Sequence, residues 1–446
     1  MPSLDFLVKF VPFHSSSFIY ELVTLVGFNL LIWGSVGLVR LAVEIFARIR
    51  GLKMLVRKLI PQRSTTRTLT KNDVAIIMAA YNEELVIAKS IRSLLVLVPP
   101  QNIYIISDGS KDNTAEIARS FGVNVLEPEN SGKAGALKRG IDHFQLAQRY
   151  TGVLFVDADT IISPTYLDYA LPYLEDDRVA VVAGFAKTLW EPATTGFWNM
   201  FILAHRERVY ILVQYLIKYA QAWLGVSVTP IIPGFCSLYR ASVLPSIDIA
   251  AKGLVIEDYN MTFEVHRKRL GKIIMDPRVY GNTQDPDNLR DYYKQVRRWH
   301  LGFWQTLKLH GFWPSLFSAA LLLYSAEVLL STLSLVLLPA VLVFIGVVAV
   351  LGVGNVSPWV YDLYTIFTQE YGILKGLLLL FAIDYAVSII VALLFRRPQY
   401  LWYGLGFLFM KYIDAWTFLA AFPRTFLVHS TGAWVSPTRR TIATNT

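Results

Sequence analysis

Apolar residues crowd both ends of the chain and thin out between them. Residues 18–39, FIYELVTLVGFNLLIWGSVGLV, form a run long enough for one bilayer crossing, which takes ~20 residues, with Glu21 near one end where it reaches the interface. From about Asn72 to Trp299 the hydropathy falls, and short β-rich runs at 74–81, 102–108, 123–128, 152–159 and 179–184 alternate with helical stretches. That alternation predicts an α/β domain on a largely parallel sheet. An amphipathic run at 197–225 has the length of a span, but His205, Arg206, Glu207, Arg208 and Lys218 argue against one. It is expected to pack under the site and against the membrane interface, with His205 in a structural role.

Past Trp299, KLHGFWPSLFS leads along the interface into 315–351, longer than a straight span needs and carrying Pro339, which can kink or divide it. A second apolar run, 372–395, ends at Arg396-Arg397-Pro398, a turn of cytoplasmic character. A third, 400–422, contains Lys411 and Asp414, so spanning, re-entry and an interfacial position all remain open for it. Glu327, Asp384, Lys411 and Asp414 either border a polar path through the membrane or form local ion pairs. QRSTTRTLTKND, residues 62–73, is a polar linker, and no internal repeat or low-complexity tract interrupts the chain.

Composition sharpens this division. The 446 residues are 54% hydrophobic and 17% charged, with a mean hydropathy of +0.43. This is too apolar for an ordinary soluble protein and too charged for a pure membrane bundle. Only Lys9 precedes the first apolar run, whereas Arg40, Arg48, Arg50, Lys53, Arg57, Lys58, Arg63 and Arg67 follow it. The positive-inside rule therefore puts the N-terminus outside and the following domain in the cytoplasm. The net charge of +9 comes without a long basic run or nucleic-acid motif, which favours anionic lipid and phosphate over nucleic acid as partners. The single cysteine, Cys236, excludes an internal disulfide and a thiolate zinc cluster, and reads as a small buried side chain.

The chemistry-bearing residues gather where α/β sheets bind ligands, at the carboxyl ends of strands. Tyr81-Asn82-Glu83-Glu84 follow the first run, Asp108-Gly109-Ser110 the second, and Asp157-Ala158-Asp159 the fourth. The segment DGSKDNT (108–114) also reads as a turn with a helix cap. In NSGKAGALKRG (130–140) glycines admit a close ligand, and Lys133 and Lys138 are available to phosphate, although the GxxxxGK[ST] pattern is absent. Two bare carboxylates ~5–6 Å apart, as Asp157 and Asp159 can be, repel by about 3 kcal/mol at an effective dielectric near 20. A divalent cation removes that repulsion and bridges to a diphosphate, and oxygen ligands suit Mg2+ or Mn2+. Glu257 and Asp258 open a predicted amphipathic helix, where the dipole alone favours acids. Beside a diphosphate site such a carboxylate is also a candidate general base.

In this order, AAYNEE, SDGSKDNT, NSGKAGALKRG, DADT, PGFCSLYR, IEDYN and QVRRW resemble the processive family 2 glycosyltransferases across residues 74–300. The QxxRW pattern of Gln295, Arg298 and Trp299 is shared by the cellulose, chitin, hyaluronan and poly-N-acetylglucosamine synthases. GFCSLYRASVL (234–244) and the tail GAWVSPTRR (432–440) are similar to the bacterial poly-β-1,6-N-acetylglucosamine synthase group. The chain departs from that group in its single evident N-terminal span and in Ile256, where a threonine commonly precedes the acidic pair.

The resemblance implies an α/β fold of GT-A type, a cytoplasmic glycosyltransferase domain inserted between an N-terminal transmembrane helix and a C-terminal transmembrane helical region. Segments 1–39, 40–71, 72–300, 301–422 and 423–446 would be the N-terminal span, a basic juxtamembrane linker, the GT-A domain, interfacial and transmembrane helices, and the tail. Tyr81, Asn82, Glu83 and Asp108 would hold the uridine, with Lys133 near the nucleotide. Asp157 and Asp159 would hold the diphosphate and a Mg2+ or Mn2+ ion. Asp258 would deprotonate the acceptor hydroxyl, oriented by Glu257. Arg298, with Arg297, would neutralise the departing pyrophosphate. Trp299, Gln295, Phe235 and Cys236 would contact the acceptor. An interfacial belt is the other reading of Arg297, Trp304 and Trp313. The implied protein is a multi-pass cell-membrane enzyme. It would polymerise a sugar from a UDP-sugar donor, most compatibly UDP-N-acetylglucosamine, into a growing polysaccharide that crosses the bilayer, with an auxiliary membrane subunit as a further partner. The alternatives are transfer of one sugar to a lipid carrier or glycolipid, and a silent membrane scaffold.

Overall fold

The computed structural model describes residues 27–47, 49, 58–61, 68–190, 196–370 and 372–427. Residues 18–26 of the first apolar run, most of the basic residues after it and the GAWVSPTRR tail lie outside these.

Eight strands form one sheet: β1 (Val74–Ala80), β2 (Ile103–Ser107), β3 (Asn124–Leu126), β4 (Gly152–Asp157), β5 (Thr160–Ile162), β6 (Val179–Thr188), β7 (Cys236–Arg240) and β8 (Lys272–Thr283). Their order is β3-β2-β1-β4-β7-β6-β8-β5. β1, β2, β3 and β4 pair in parallel, but β7 runs antiparallel to both β4 and β6, and β5 runs antiparallel to β8. The sheet is therefore mixed, and the expected parallel arrangement holds only for its first half and the β6/β8 pair.

β1 is buried along its whole length, and its side chains alternate between two cores. Val74, Ile76, Met78 and Ala80 face one; Ala75, Ile77 and Ala79 face the other. Helices α2 (Ile87–Leu95), α3 (Thr114–Ser120) and α5 (Tyr166–Leu174) cover the first face. Helices α4 (Gly132–His143) and α7 (Glu257–Arg267) cover the second. Burial on both faces explains why the strands read as unbroken apolar runs rather than alternating ones.

The first apolar helix, α1 (Phe28–Phe46), continues past residue 39. Arg40, expected to open a linker, lies inside the helix and is buried because its guanidinium docks on the sheet domain. It donates to the Met275 carbonyl at 2.8 Å, pairs with Glu44 at 2.7 Å and lies 3.8 Å from the centre of the Tyr219 ring. The amphipathic run is helical as expected, α6 (Phe197–Ile211), but its continuation Leu212–Lys218 is a π-helix. There the Gln214 side chain clamps β6, accepting from the Ala186 amide at 2.6 Å and donating to its carbonyl at 2.9 Å.

After the sheet comes α8 (Leu289–His310), capped by the Asn288 side chain on the Asp291 amide at 2.9 Å. Helix α9 (Leu316–Leu351) passes unbroken through Pro339, and α10 (Ile373–Leu394) and α11 (Phe407–Leu427) follow. Among the described residues, Phe28–Phe46, Leu316–Leu351, Pro358–Leu394 and Tyr400–Leu427 are long and apolar enough to cross a membrane. Helix α11 lies along α8: Tyr292 donates to Asp414 at 2.6 Å and Trp304 to the Phe418 carbonyl at 3.1 Å. Trp304 is thus buried inside this pair, not on a membrane-facing belt.

Candidate active site

Because β1, β2 and β4 are parallel neighbours, their carboxyl ends open on one edge of the sheet. The loops there are knitted together by their own polar residues. Asn82 accepts from the Lys111 amide at 2.8 Å, the Glu83 amide donates to Thr114 at 2.8 Å, and Glu84 accepts from the Asn113 amide at 3.1 Å. Asn82 takes a left-handed backbone (φ 54°), and so does Gly109 (φ 72°), where a Cβ would in addition meet Asn130 at 3.0 Å. Tyr81 is half-buried and Asn82 exposed, so both face the opening.

The other two expected uridine ligands are buried. Asp108 is wholly buried, and its carboxylate accepts from the Ser131 amide at 2.9 Å and the Ser131 hydroxyl at 3.1 Å. Burial raises its pKa and the Ser131 bonds oppose the rise. It pins the start of α4. Glu83 is likewise wholly buried below the loop.

Lys133, in the first turn of α4, joins two motifs far apart in sequence. Its ammonium lies 2.8 Å from Asp157 at the end of β4 and 2.8 Å from Glu257 at the start of α7. Burial alone would lower its pKa, but Asp157, Glu257 and Asp258 together raise it well above the usual lysine value and keep the cation charged. Asp258, half-buried beside Glu257, is pushed up to about 7, first by burial and then by the Glu257 charge, with Lys133 opposing. Its carboxylate lies so close to Gly234 that a Cβ there would sit 2.0 Å from Oδ1. The glycine of PGFC is therefore the space that the acid occupies.

The other wall is built on Arg206 of α6, which the sequence reading took for packing. This buried guanidinium donates to Gln295, lies 3.4 Å from Asp285, and sits 4.5 Å from the centre of the Trp299 ring and 4.8 Å from that of Tyr292. Asp285 accepts from Thr188 and Tyr210, both at 2.9 Å. Burial raises Asp285 to about 6, Arg206 opposes the rise, and Asp159 contributes to it, which places the Asp157/Asp159 end of the sheet beside this network. Gln295 and Trp299 are thus brought together on one face of α8. Gln305, further along α8, accepts from the Val255 amide at 3.0 Å and fastens the helix to the loop before the acidic pair.

Other expectations resolve differently. Cys236 has no exposed surface; its thiol faces the Phe185 carbonyl at 3.7 Å, and burial pushes it well above the usual thiol range. It is a core residue, as a lone cysteine suggests, while Phe235 is only partly buried and packs on the same core. Arg298 is exposed on α8, and Arg297 turns to a groove shared with α11. His205 is buried against Tyr292 and Asp414, in the structural role expected.

Among the described residues no three His, Cys, Asp or Glu side chains form a ready metal cage. Asp157 and Asp159 are hard oxygen donors two residues apart at one strand end, the donor type that suits Mg2+ or Mn2+. The cation already drawn to Asp157, the Lys133 ammonium, shows the charge this edge demands.

The chain is similar to known glycosyltransferases. Residues 75–247 match the glycosyl transferase family 2 profile. A poly-β-1,6-N-acetyl-D-glucosamine synthase of Staphylococcus epidermidis is 29% identical over 259 residues, 56% of this chain and 59% of the relative, so the match spans somewhat over half of that protein. An uncharacterised glycosyltransferase of Escherichia coli is 26% identical over 355 residues, 74% of this chain and 85% of the relative. Among solved structures, a mannosyltransferase from Pyrobaculum calidifontis in complex with GDP-Man and Mn2+ aligns with 88% of this chain and 99% of its own, at 16% identity and a TM-score of 0.47.

Proposed function

We propose, from the family 2 glycosyltransferase domain that residues 75–247 carry, that the protein is an inverting polysaccharide synthase using a UDP-sugar. UDP-N-acetylglucosamine is the donor in this reading, supported by the poly-N-acetylglucosamine synthases among its relatives. The observation that carries the reading is the Lys133 bridge, which sets the diphosphate-side carboxylate Asp157 and the Glu257/Asp258 pair within one ammonium's reach.

Tyr81 and Asn82 take the nucleoside, and Asp157 and Asp159 hold the divalent ion. That ion, when bound, offsets negative charge on the diphosphate. Lys133 is the chain's own cation at the same place, and Arg298 supplies a second. Asp258 takes the proton of the acceptor hydroxyl as the oxygen forms its bond to the anomeric carbon. The bond from that carbon to the phosphate oxygen breaks on the opposite face, its electron pair leaving with UDP. Burial and the Glu257 charge raise the Asp258 pKa to about 7, close to the range in which a general base is most effective. Trp299, held by Arg206, provides a flat ring for the acceptor sugar. Such ring contacts contribute about 0.5–1.5 kcal/mol, enough to orient a chain and weak enough to let it slide.

The test is UDP release by the detergent-purified full-length chain with Mg2+ or Mn2+ across a panel of UDP-sugars. Release with UDP-N-acetylglucosamine above all others supports the reading. Preference for UDP-glucose or UDP-glucuronate moves the donor, and silence with every donor removes the enzyme.

A further inference from the structure

Away from the catalytic edge, α8 and α11 enclose a groove of about 790 Å³. Its wall is Arg290, Lys294 and Arg297 of α8, and its floor includes Tyr412, Ile413 and Trp416 of α11. The three basic residues recur at i, i+4 and i+7 and so form one stripe along the helix. All three are exposed, and Trp416 is 50% exposed. The stripe lies apart from the acceptor face, since Arg297 and Trp299 are two residues and thus roughly 200° apart around α8. Asp291 holds Lys294 at 3.1 Å and offsets part of the charge, leaving the stripe net positive.

We propose that this groove binds the headgroup of an anionic phospholipid. Its phosphodiester sits among Arg290, Lys294 and Arg297, and its first acyl carbons lie on Ile413 and Trp416. The chemistry of the walls selects this occupant: a cationic rim over an almost wholly apolar floor complements an amphiphilic anion. A sugar would need several paired donors and acceptors, and beyond the Tyr293 and Tyr412 hydroxyls this lining offers side-chain cations and apolar surface. The position agrees, because α11 belongs to the stretch Tyr400–Leu427, which is apolar and long enough to enter a membrane. Tyrosine and tryptophan favour the boundary between water and lipid, and basic residues there attract anionic leaflets. The inference does not depend on the sugar chemistry.

The full-length chain is reconstituted in phosphatidylcholine nanodiscs doped with phosphatidylglycerol brominated along its acyl chains. Quenching of Trp416 is read as the difference between the native chain and Trp416→Phe. The expected result is quenching at low mole fractions of the brominated phosphatidylglycerol, with Arg290→Gln/Lys294→Gln raising the fraction required by roughly 10- to 30-fold. The charge-preserving pair Arg290→Lys/Lys294→Arg should retain the native response, which separates lost charge from lost structure. Equal quenching by brominated phosphatidylcholine would show an unselective lipid-facing surface and overturn the proposal. Absence of quenching by either lipid, or an unshifted response in the Gln variant, would overturn it as well.

Discussion

Asp258 illustrates how one residue type acquires a role through its surroundings. Its neighbours raise its pKa to about 7, and a group raised in this way loses its proton only as the pH climbs through that value. Only the deprotonated form accepts the acceptor's proton, so kcat is expected to fall on the acid side, halving near pH 7. A pH-rate profile between 5.5 and 8.5 checks this, and a flat profile counts against Asp258 as base. Gly234→Ala puts a methyl group 2.0 Å from the Asp258 oxygen. It should lower kcat by roughly tenfold or more, as a displacement of about 1 Å at a reacting group does, while the melting temperature stays close to native. Arg206→Lys keeps the charge but loses the flat guanidinium over Trp299. Shorter products and a raised acceptor KM, with the donor KM unchanged, are expected; a changed donor KM would assign Arg206 to the nucleotide side. Asp157, Glu257 and Asp258 were legible because acids at a strand end and a helix start are conspicuous. Arg206 and Asp285 were not, since nothing in an amphipathic run or the loop TQDPDN distinguishes a hub from a solvated charge. Cys236 is the small buried side chain that a lone cysteine suggests, whereas the burial of Asp108 against Ser131 was not legible, because a loop-stapling aspartate has the same composition as a ligand-binding one.

At the scale of elements, legibility followed burial. β1, β2 and β4 are buried almost throughout and stand out as apolar runs. β7 and β8 did not: CSLYR mixes polar and apolar positions, and KIIMDPRVYGNT is broken by Asp276 and Pro277. Their antiparallel pairings depend on long-range contacts that no local pattern encodes, which is why the sheet was expected to be more parallel than it is. The link between catalytic and membrane elements was equally hidden. Arg208 of α6 donates to both oxygens of Asp384 in α10, at 2.7 and 3.0 Å, and Lys411 of α11 approaches the same carboxylate at 2.5 Å. Asp384 therefore forms a local ion pair among the described residues, one of the two alternatives its sequence position allowed. Asp384→Asn leaves a buried arginine without its counter-charge and should cost about 3–5 kcal/mol. The drop in melting temperature should exceed that of Lys411→Met, whose side chain is 42% exposed; equal drops would show that the pair is not a structural clasp.

For the whole molecule, the helices and the sheet form one continuous assembly rather than a domain tethered to anchors. α1 reaches the catalytic domain through Arg40, α10 through Asp384, and α11 through Asp414 and the Phe418 carbonyl. Tyr292, which donates to Asp414, also lies under the Arg206 guanidinium, so the Arg206 network and the apolar helix α11 share a residue. The most direct test is to size the product made by the full-length chain from radiolabelled UDP-N-acetylglucosamine, with Asp258→Asn beside it. The account predicts a high-molecular-weight ladder and a loss of roughly 10²- to 10⁴-fold in the variant. A product of one added sugar extractable with lipid, or a variant as active as the native chain, would contradict it.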